Sequence, residues 1–437
     1  MQRFKVPKGL SILFLMLLAL TIGIGYQFSS DAPIIANTKE VTKKPVFSEE
    51  QLRLYHLQQH ELQVAVNAYF EKAIANGDVV GAGLSIVKGD SIIISEGYGK
   101  RNINLEDRVD DQTVFRLGSL SKGFAGVLAA NLKDEGKLNW EDRVSDYLPD
   151  FQLGDLINTQ KITLANILSH TSGAPYHSFT NLVEAGLPLT DIAKHFKEVR
   201  PISNPGSLYS YQNALFALSE EIMYKATGKK INTSLEDRFF KPLEMCSTTM
   251  DYEALVQTEN VALPHTPRRY GWRAKRLTKS YFNAIAAGGI NASALDMARW
   301  MRFLLGHNPE VMSKSALAEA FNPFIEIKGR SKYYHRWPGH LSSYYAFGWR
   351  IHKFKEDDTK QEKTIWHHGG SVNNYRNEIA VFPEADLGIC VLLNNQSKIA
   401  GTVIPDLYKV IRDVYKKHPS NIASAGNAAS HSHLKKG

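Results

Sequence analysis

The strand-forming runs of this 437-residue chain lie near its two ends, and the long stretch between them reads as helix and loop. Near the start, "GAGLSIVKGDSIIISEGYGKRN" holds two β-rich runs joined around Lys88-Gly89-Asp90, a hairpin signal. Near the end, "YYAFGWRIHKF", "KTIWHHGG" and "YRNEIAVFPEADLGICVLLNN" bring strands back. Between them, "ITLANILSHTSGAP", "NALFALSEEIMYKATGKK" and "ALDMARWMRFLLGH" carry helical spacing. Strands at both ends with helices between predict a sheet closed by the two chain ends. The expected class is α/β of the α+β type. An antiparallel sheet of N- and C-terminal strands is flanked by helices, and a mostly helical lobe spans about residues 130–290. A cleft between two such lobes is a natural place for a site.

The predicted body spans residues 51–418. A helix ahead of the first strand has Ser48 as its candidate N-cap, and "IPDLYKVIRDVYKK" forms the last helix. Residues 1–30 contain Arg3, Lys5 and Lys8, then an uncharged apolar run from Gly9 to Tyr26. A positive stretch before an apolar one is an export signal, read here as a signal anchor or a cleavable signal peptide. The body is then exported: held on the inner membrane through the N-terminal segment, facing the periplasm or extracytoplasmic space, or released to the periplasm after cleavage. Residues 31–50 read as a linker and 419–437 as a disordered tail. Six Lys/Arg against four Asp/Glu in the first 50 residues, and four lysines without an acid in residues 416–437, carry most of the net charge of +8. No basic stripe with interleaved aromatics remains, which argues against nucleic acid as a partner. The two cysteines, Cys246 and Cys390, form no zinc-like cluster with histidine. Cys390 reads as a packed thiol in a buried strand, and the sequence leaves its pairing with Cys246 open.

Three Ser-x-x-Lys matches occur: Ser85–Lys88, Ser119–Lys122 and Ser432–Lys435. The first lies in a strand, where positions three apart point to opposite faces. The third lies in the tail. Only Ser119–Lys122, in "FRLGSLSKGFAG", falls at a helix start, where i and i+3 are neighbours. Amides and a positive dipole at the helix N-terminus favour an attacking alkoxide and a developing oxyanion. A serine nucleophile also needs a base, a proton donor for the leaving group and a second oxyanion donor.

Further motifs complete that set. Tyr211-Gln212-Asn213 follows a Pro205-Gly206 turn and enters an apolar helix, unlike Tyr281-Phe282-Asn283 and Tyr375-Arg376-Asn377. Downstream stands His368-Gly369-Gly370. Together they resemble the serine β-lactamase and penicillin-binding protein family, closest to its class C β-lactamase-like, carboxypeptidase/esterase branch. That family carries S-x-x-K, Y-x-N and [K/H]-x-G in this order. "NWEDRVSDYLPDF", "ITLANILSHTSGAP", "PLEMCSTTM" and "YAFGW" also resemble family segments, so the likeness runs from about Leu62 to Tyr415.

The resemblance implies an acyl-enzyme on Ser119, with Lys122 or Tyr211 as general base. Tyr211 would relay the proton to the leaving group, and Asn213 would bind Lys122 and the substrate amide. His368 would assist through a hydrogen-bond network or a substrate carboxylate. The Ser119 and Ser371 amides would form the oxyanion hole, and Gly369 and Gly370 would let the substrate approach. His367 would point to the other face of its strand as a packing or surface residue. No metal or cofactor is implied. His-Gly-Gly stands where class C β-lactamases carry Lys-Thr-Gly, so the fixed charge that holds a β-lactam carboxylate is absent from the motif. The expected partner is a small-molecule or peptide substrate: a β-lactam, a D-Ala-D-Ala peptide or an ester. An inactive peptidoglycan- or partner-binding protein is the non-enzyme alternative.

Overall fold

The computed structural model describes residues 47–329, 331–356 and 361–420. The signal or anchor expected in residues 1–30, most of the linker and the tail from residue 421 lie outside the described residues. Among the described residues, no helix is long and apolar enough to cross a membrane.

The first helix, α1 (Glu49–Ala75), begins inside the stretch read as linker. Ser48 and Gln51 cap it reciprocally, each side chain bonding the other's backbone amide. Strands β1 (Gly81–Lys88) and β2 (Ser91–Gly99) form the expected hairpin. Helices α2 (Ser121–Asp134), α3 (Asn213–Ala217) and α4 (Ala294–Leu304) matter most for the site and its support. Six strands follow: β3 (Ile325–Glu326), β4 (His340–Tyr345), β5 (Arg350–Lys355), β6 (Glu362–Val372), β7 (Tyr375–Phe382) and β8 (Leu387–Leu393). Helix α5 (Val403–Lys417) ends the fold.

The sheet order is β2-β1-β8-β7-β6-β5-β4-β3, with antiparallel pairing throughout. The chain ends meet where β1 pairs with β8, from Ala82 opposite Leu393 to Lys88 opposite Leu387. Burial in β8 follows the strand period of two. Cys390 and Leu392 join the core under the helical lobe, whereas Ile389, Val391 and Leu393 join the core under α1 and α5. Each face is therefore covered, which is why "LGICVLL" reads as a continuous apolar run. Helix α1 supplies Leu62, Val66, Phe70 and Ala73 to the second core, and α5 supplies Ile404, Leu407 and Ile411, both at helical spacing. Cys390 is buried and Cys246 exposed, and both are free thiols.

The apolar run after Asn213 is not one helix. Segment α3 stops at Ala217 and a second segment runs Ser219–Thr227. Hydrogen bonds from the Leu218 amide to Ala214 and Leu215 and from the Ser219 hydroxyl to Phe216 mark the joint.

Sheet closure makes a quantitative expectation. Leu84 is fully buried opposite Val391, so Leu84→Ala should cost about 2–5 kcal/mol. Val64, 53% exposed on α1, should change stability by less than about 0.5 kcal/mol when replaced by Ala. Thermal unfolding of the two variants checks this, and equal losses would contradict it.

Candidate active site

Ser119 sits in a 3₁₀ turn, Gly118–Leu120, that leads directly into α2. The turn is held from both sides. Phe115–Arg116 pairs with Asn291–Ala292, and the Leu117 amide donates to the Ile290 carbonyl. Gly118 has φ +56°, and a Cβ there would lie 2.9 Å from the Ser371 carbonyl carbon. Only glycine allows both that conformation and that approach. The serine turn is thus packed against the end of β6.

Lys122, on the first turn of α2, is fully buried. Its Nζ lies 2.8 Å from Asn213 Oδ1, 2.7 Å from the Ala287 carbonyl and 3.3 Å from Ser119 Oγ. The first two partners only accept. A neutral amine donates its two protons to them and turns its lone pair to the serine hydroxyl. Burial, with help from the Arg350 charge, pushes Lys122 well below the usual lysine range.

Tyr211 donates from Oη to Ser119 Oγ at 3.0 Å. Burial pushes this phenol up to about 12, although the Arg350 charge and the serine hydrogen bond pull it down. Of the two candidate bases, Lys122 therefore holds its proton weakly and Tyr211 firmly. Asn213 Nδ2 donates to Tyr281 Oη at 3.1 Å, which fixes the amide with its oxygen towards Lys122. The sequence reading passed over Tyr281, whose motif-like neighbours gave it no role.

His368 lies behind these residues. Its buried ring faces Tyr211 at 6.5 Å between centroids, and its hydrogen bonds run elsewhere. The Gln212 amide donates to His170 Nδ1 at 3.1 Å, so His170 carries its proton on Nε2 and donates to Tyr345 Oη at 3.2 Å. Tyr345 then donates to His368 Nε2 at 3.0 Å, and His368 Nδ1–H reaches the Gly369 carbonyl at 2.8 Å. Burial holds both imidazoles well below the usual histidine range, so both are neutral. His170 also packs on Tyr211 at 4.1 Å between centroids. His368 is thus held by Tyr345 and the Gly369 carbonyl and is not among the described residues lining the cavity.

A cavity of about 480 Å³ opens above Ser119. Tyr211, Asn213, Gly369 and Ser371 line it, but Gly370 turns the other way, and a Cβ there would meet the Leu117 carbonyl at 2.1 Å. The Ser371 hydroxyl accepts from Gln396 Nε2 at 2.8 Å, while its backbone abuts Gly118. Lys332, Arg350 and Arg376 also line the cavity, with Glu184 as the one carboxylate among its described lining residues. Arg350 lies opposite His367 in the β5–β6 register, and its Nε and Nη1 are buried without a hydrogen-bond partner among the described residues. No local pattern in the sequence marks Arg350.

Comparison with known proteins agrees with this geometry. The "Beta-lactamase" family model matches residues 66–406. The chain is 24% identical over 374 residues to "Protein flp" of Staphylococcus aureus (strain MW2), covering 84% of this chain and 70% of that protein. It is 26% identical over 345 residues to "Unguisins hydrolase ungD'" of Aspergillus campestris (strain IBT 28561), covering 75% of this chain and 61% of that one. The octameric penicillin-binding protein homologue from Pyrococcus abyssi shares the fold, with a TM-score of 0.67 at 21% identity over 82% of this chain and 77% of that chain. With the family model spanning most of the body and the Ser119, Lys122 and Tyr211 side chains within hydrogen-bonding reach, the chain belongs to the beta-lactamase family.

Proposed function

We propose that the protein is an exported serine hydrolase that works through an acyl-enzyme on Ser119. The observation that carries this reading is the buried Lys122 amine, 3.3 Å from Ser119 Oγ, with its other partners restricted to acceptors. Neutral Lys122 takes the serine proton as Oγ attacks a carbonyl carbon. Tyr211, still protonated, gives its proton to the leaving group, and the proton that Lys122 took from the serine restores the phenol. Backbone amides of Ser119 and Ser371 hold the oxyanion. Water then attacks the ester, with Tyr211 and Lys122 reversing their roles. Export rests on Arg3, Lys5, Lys8 and the apolar run Gly9–Tyr26.

The substrate we favour is a carboxylate-bearing amide: a β-lactam or a peptidoglycan D,D-peptide. The charge that the His-Gly-Gly motif lacks is available from Arg350, an arginine with no carboxylate partner among the described residues. Neutral short esters are the second reading, since six tyrosines, including Tyr176, Tyr209 and Tyr281, line the same cavity.

Intact mass after incubation with a penicillin, a D-Ala-D-Ala peptide thioester and a short-chain nitrophenyl ester tests the scheme. The expected result is an acyl adduct on the Ser119 peptide that Ser119→Ala lacks, with turnover down by about 10³-fold or more. If no probe labels Ser119, the inactive binding protein replaces this reading. Arg350→Ala should raise KM for the carboxylate-bearing thioester about tenfold more than for the neutral ester. An equal effect on both would argue against an anionic substrate.

The pH dependence follows from the base. Lys122 acts when unprotonated, so kcat/KM should fall as pH drops through its lowered pKa. The rise should be complete well below 10.5, the ordinary lysine value. Tyr211 acts when protonated, and a pKa of about 12 keeps it so across the assay range. A profile whose rise is centred near 10.5 would remove Lys122 as the neutral base.

A further inference from the structure

Beneath Gly369 lies a buried polar cluster that the Ser119 scheme does not use. Glu378, on β7, is fully buried. Its Oε2 accepts from Tyr333 Oη at 2.8 Å and from His367 Nε2 at 2.8 Å, and Arg376 Nη2 lies 2.6 Å from Oε1. The cluster touches the back of the third motif, since a Cβ on Gly369 would lie 2.6 Å from Tyr333 Oη and 3.0 Å from both carboxylate oxygens. Two of its members, Tyr333 and Arg376, face the cavity above Ser119. The Arg376 guanidinium sits over the Tyr333 ring at 5.2 Å.

His367 leads away from the cavity. Its Nδ1 is 3.0 Å from His352 Nε2, His352 Nδ1 is 2.8 Å from Ser343 Oγ, and Ser343 Oγ is 2.8 Å from His340 Nε2. Glu378 can only accept when ionised, and this fixes every donor in the chain. His367 donates from Nε2, so its Nδ1 accepts from His352 Nε2–H. His352 Nδ1 in turn accepts from Ser343, and Ser343 from His340. His340 and His352 line a second cavity of about 480 Å³ with Trp337, Phe354 and Phe382 of the terminal-helix core.

We propose that Glu378 is a specificity-determining residue of the Ser119 cavity, cancelling the charge of Arg376 when ionised and releasing it towards an anionic substrate when protonated. The histidine chain holds His367 in the tautomer that stabilises the ionised form. This inference rests on the reading of that cavity as the substrate site. The titratable and charged groups facing Glu378 are Arg376 on its own strand, His367 on β6, Arg350 on β5, Tyr333 on the turn Tyr333–Arg336 and Cys390 on β8. Burial pushes the Glu378 carboxyl up to about 7 against the pull of Arg376. Burial also holds His367 well below its usual range. As pH falls through about 7 the Glu378–His367 pair takes up one proton, and wherever it settles the cluster gains one positive charge. Anionic substrates gain below that point and lose the gain above it.

The test is the ratio of kcat/KM for 4-nitrophenyl glutarate, whose free carboxylate is ionised, to that for neutral 4-nitrophenyl butyrate. In the wild-type protein this ratio should rise about tenfold between about pH 8.5 and about pH 5.5. E378Q should hold the acid-side ratio at both ends. His352→Phe, which lets His367 turn from Glu378, should move the midpoint to higher pH, because a carboxylate that loses a donor is protonated more easily. A flat wild-type ratio, or a pH response that survives in E378Q, overturns the proposal. If neither ester turns over, the Ser119 reading fails separately, and ¹⁵N shifts of the His367 ring decide this one. A transition near pH 7 that vanishes in E378Q supports it, and one that persists overturns it.

Discussion

A lysine sealed away from water, with no carboxylate beside it among the described residues, is the constraint on which this site is built. Holding an ammonium in such a place costs several kcal/mol, so the amine gives up its proton instead. The arrangement requires three distant stretches to arrive together: α2 for the lysine, the start of α3 for Asn213 and the π-helical turn Ile285–Gly289 for the Ala287 carbonyl. The helical lobe therefore does more than cover the sheet. It supplies two acceptors that keep Lys122 pointed at Ser119 without charging it.

The sheet contributes through a mismatch in strand length. The turn between β4 and β5 is short, closed by the Ala346 amide donating to Trp349, and it ends the β5–β6 pairing at Arg350 opposite His367. Strand β6 continues to Val372, paired on its β7 side alone. An edge from His368 to Ser371 with no strand partner on its β5 side is thereby left beside Ser119. The same turn braces the nucleophile, since a Cβ on Gly348 would lie 2.1 Å from the Lys122 carbonyl. Moving this turn would change both the free edge and the helix that carries the lysine.

What could be read from the sequence divides along the range of the interactions. The β1–β2 hairpin, the S-x-x-K turn and the Y-x-N entry into α3 are local patterns, and the chain folds as they predict. Alternation in "LGICVLL" was hidden because both faces of β8 are buried, yet the run still marked a strand. Tyr281, Tyr345 and His170 were not legible, since each reaches the site through hydrogen bonds between residues 42 to 175 apart that leave no spacing in the chain, and Arg350 arrives only through the β5–β6 register. His367 illustrates the middle case. Strand parity placed it on the far face, as the structure does, but only the register of β7 reveals that Glu378 waits there.

That register also accounts for the unusual third motif. In this chain the His-Gly-Gly motif itself carries no cation, and each flanking strand places one at the cavity: Arg350 on β5 and Arg376 on β7. Arg350 has no ion pair among the described residues, Arg376 is tied to Glu378, and Lys332 is a further cation lining the cavity. A lysine at position 368 would put an ammonium within the buried set of Tyr345 and His170, where an imidazole can be neutral and an ammonium cannot be accommodated cheaply. With a neutral His368 the motif is uncharged, and the cations facing the cavity come from the flanking strands and from Lys332.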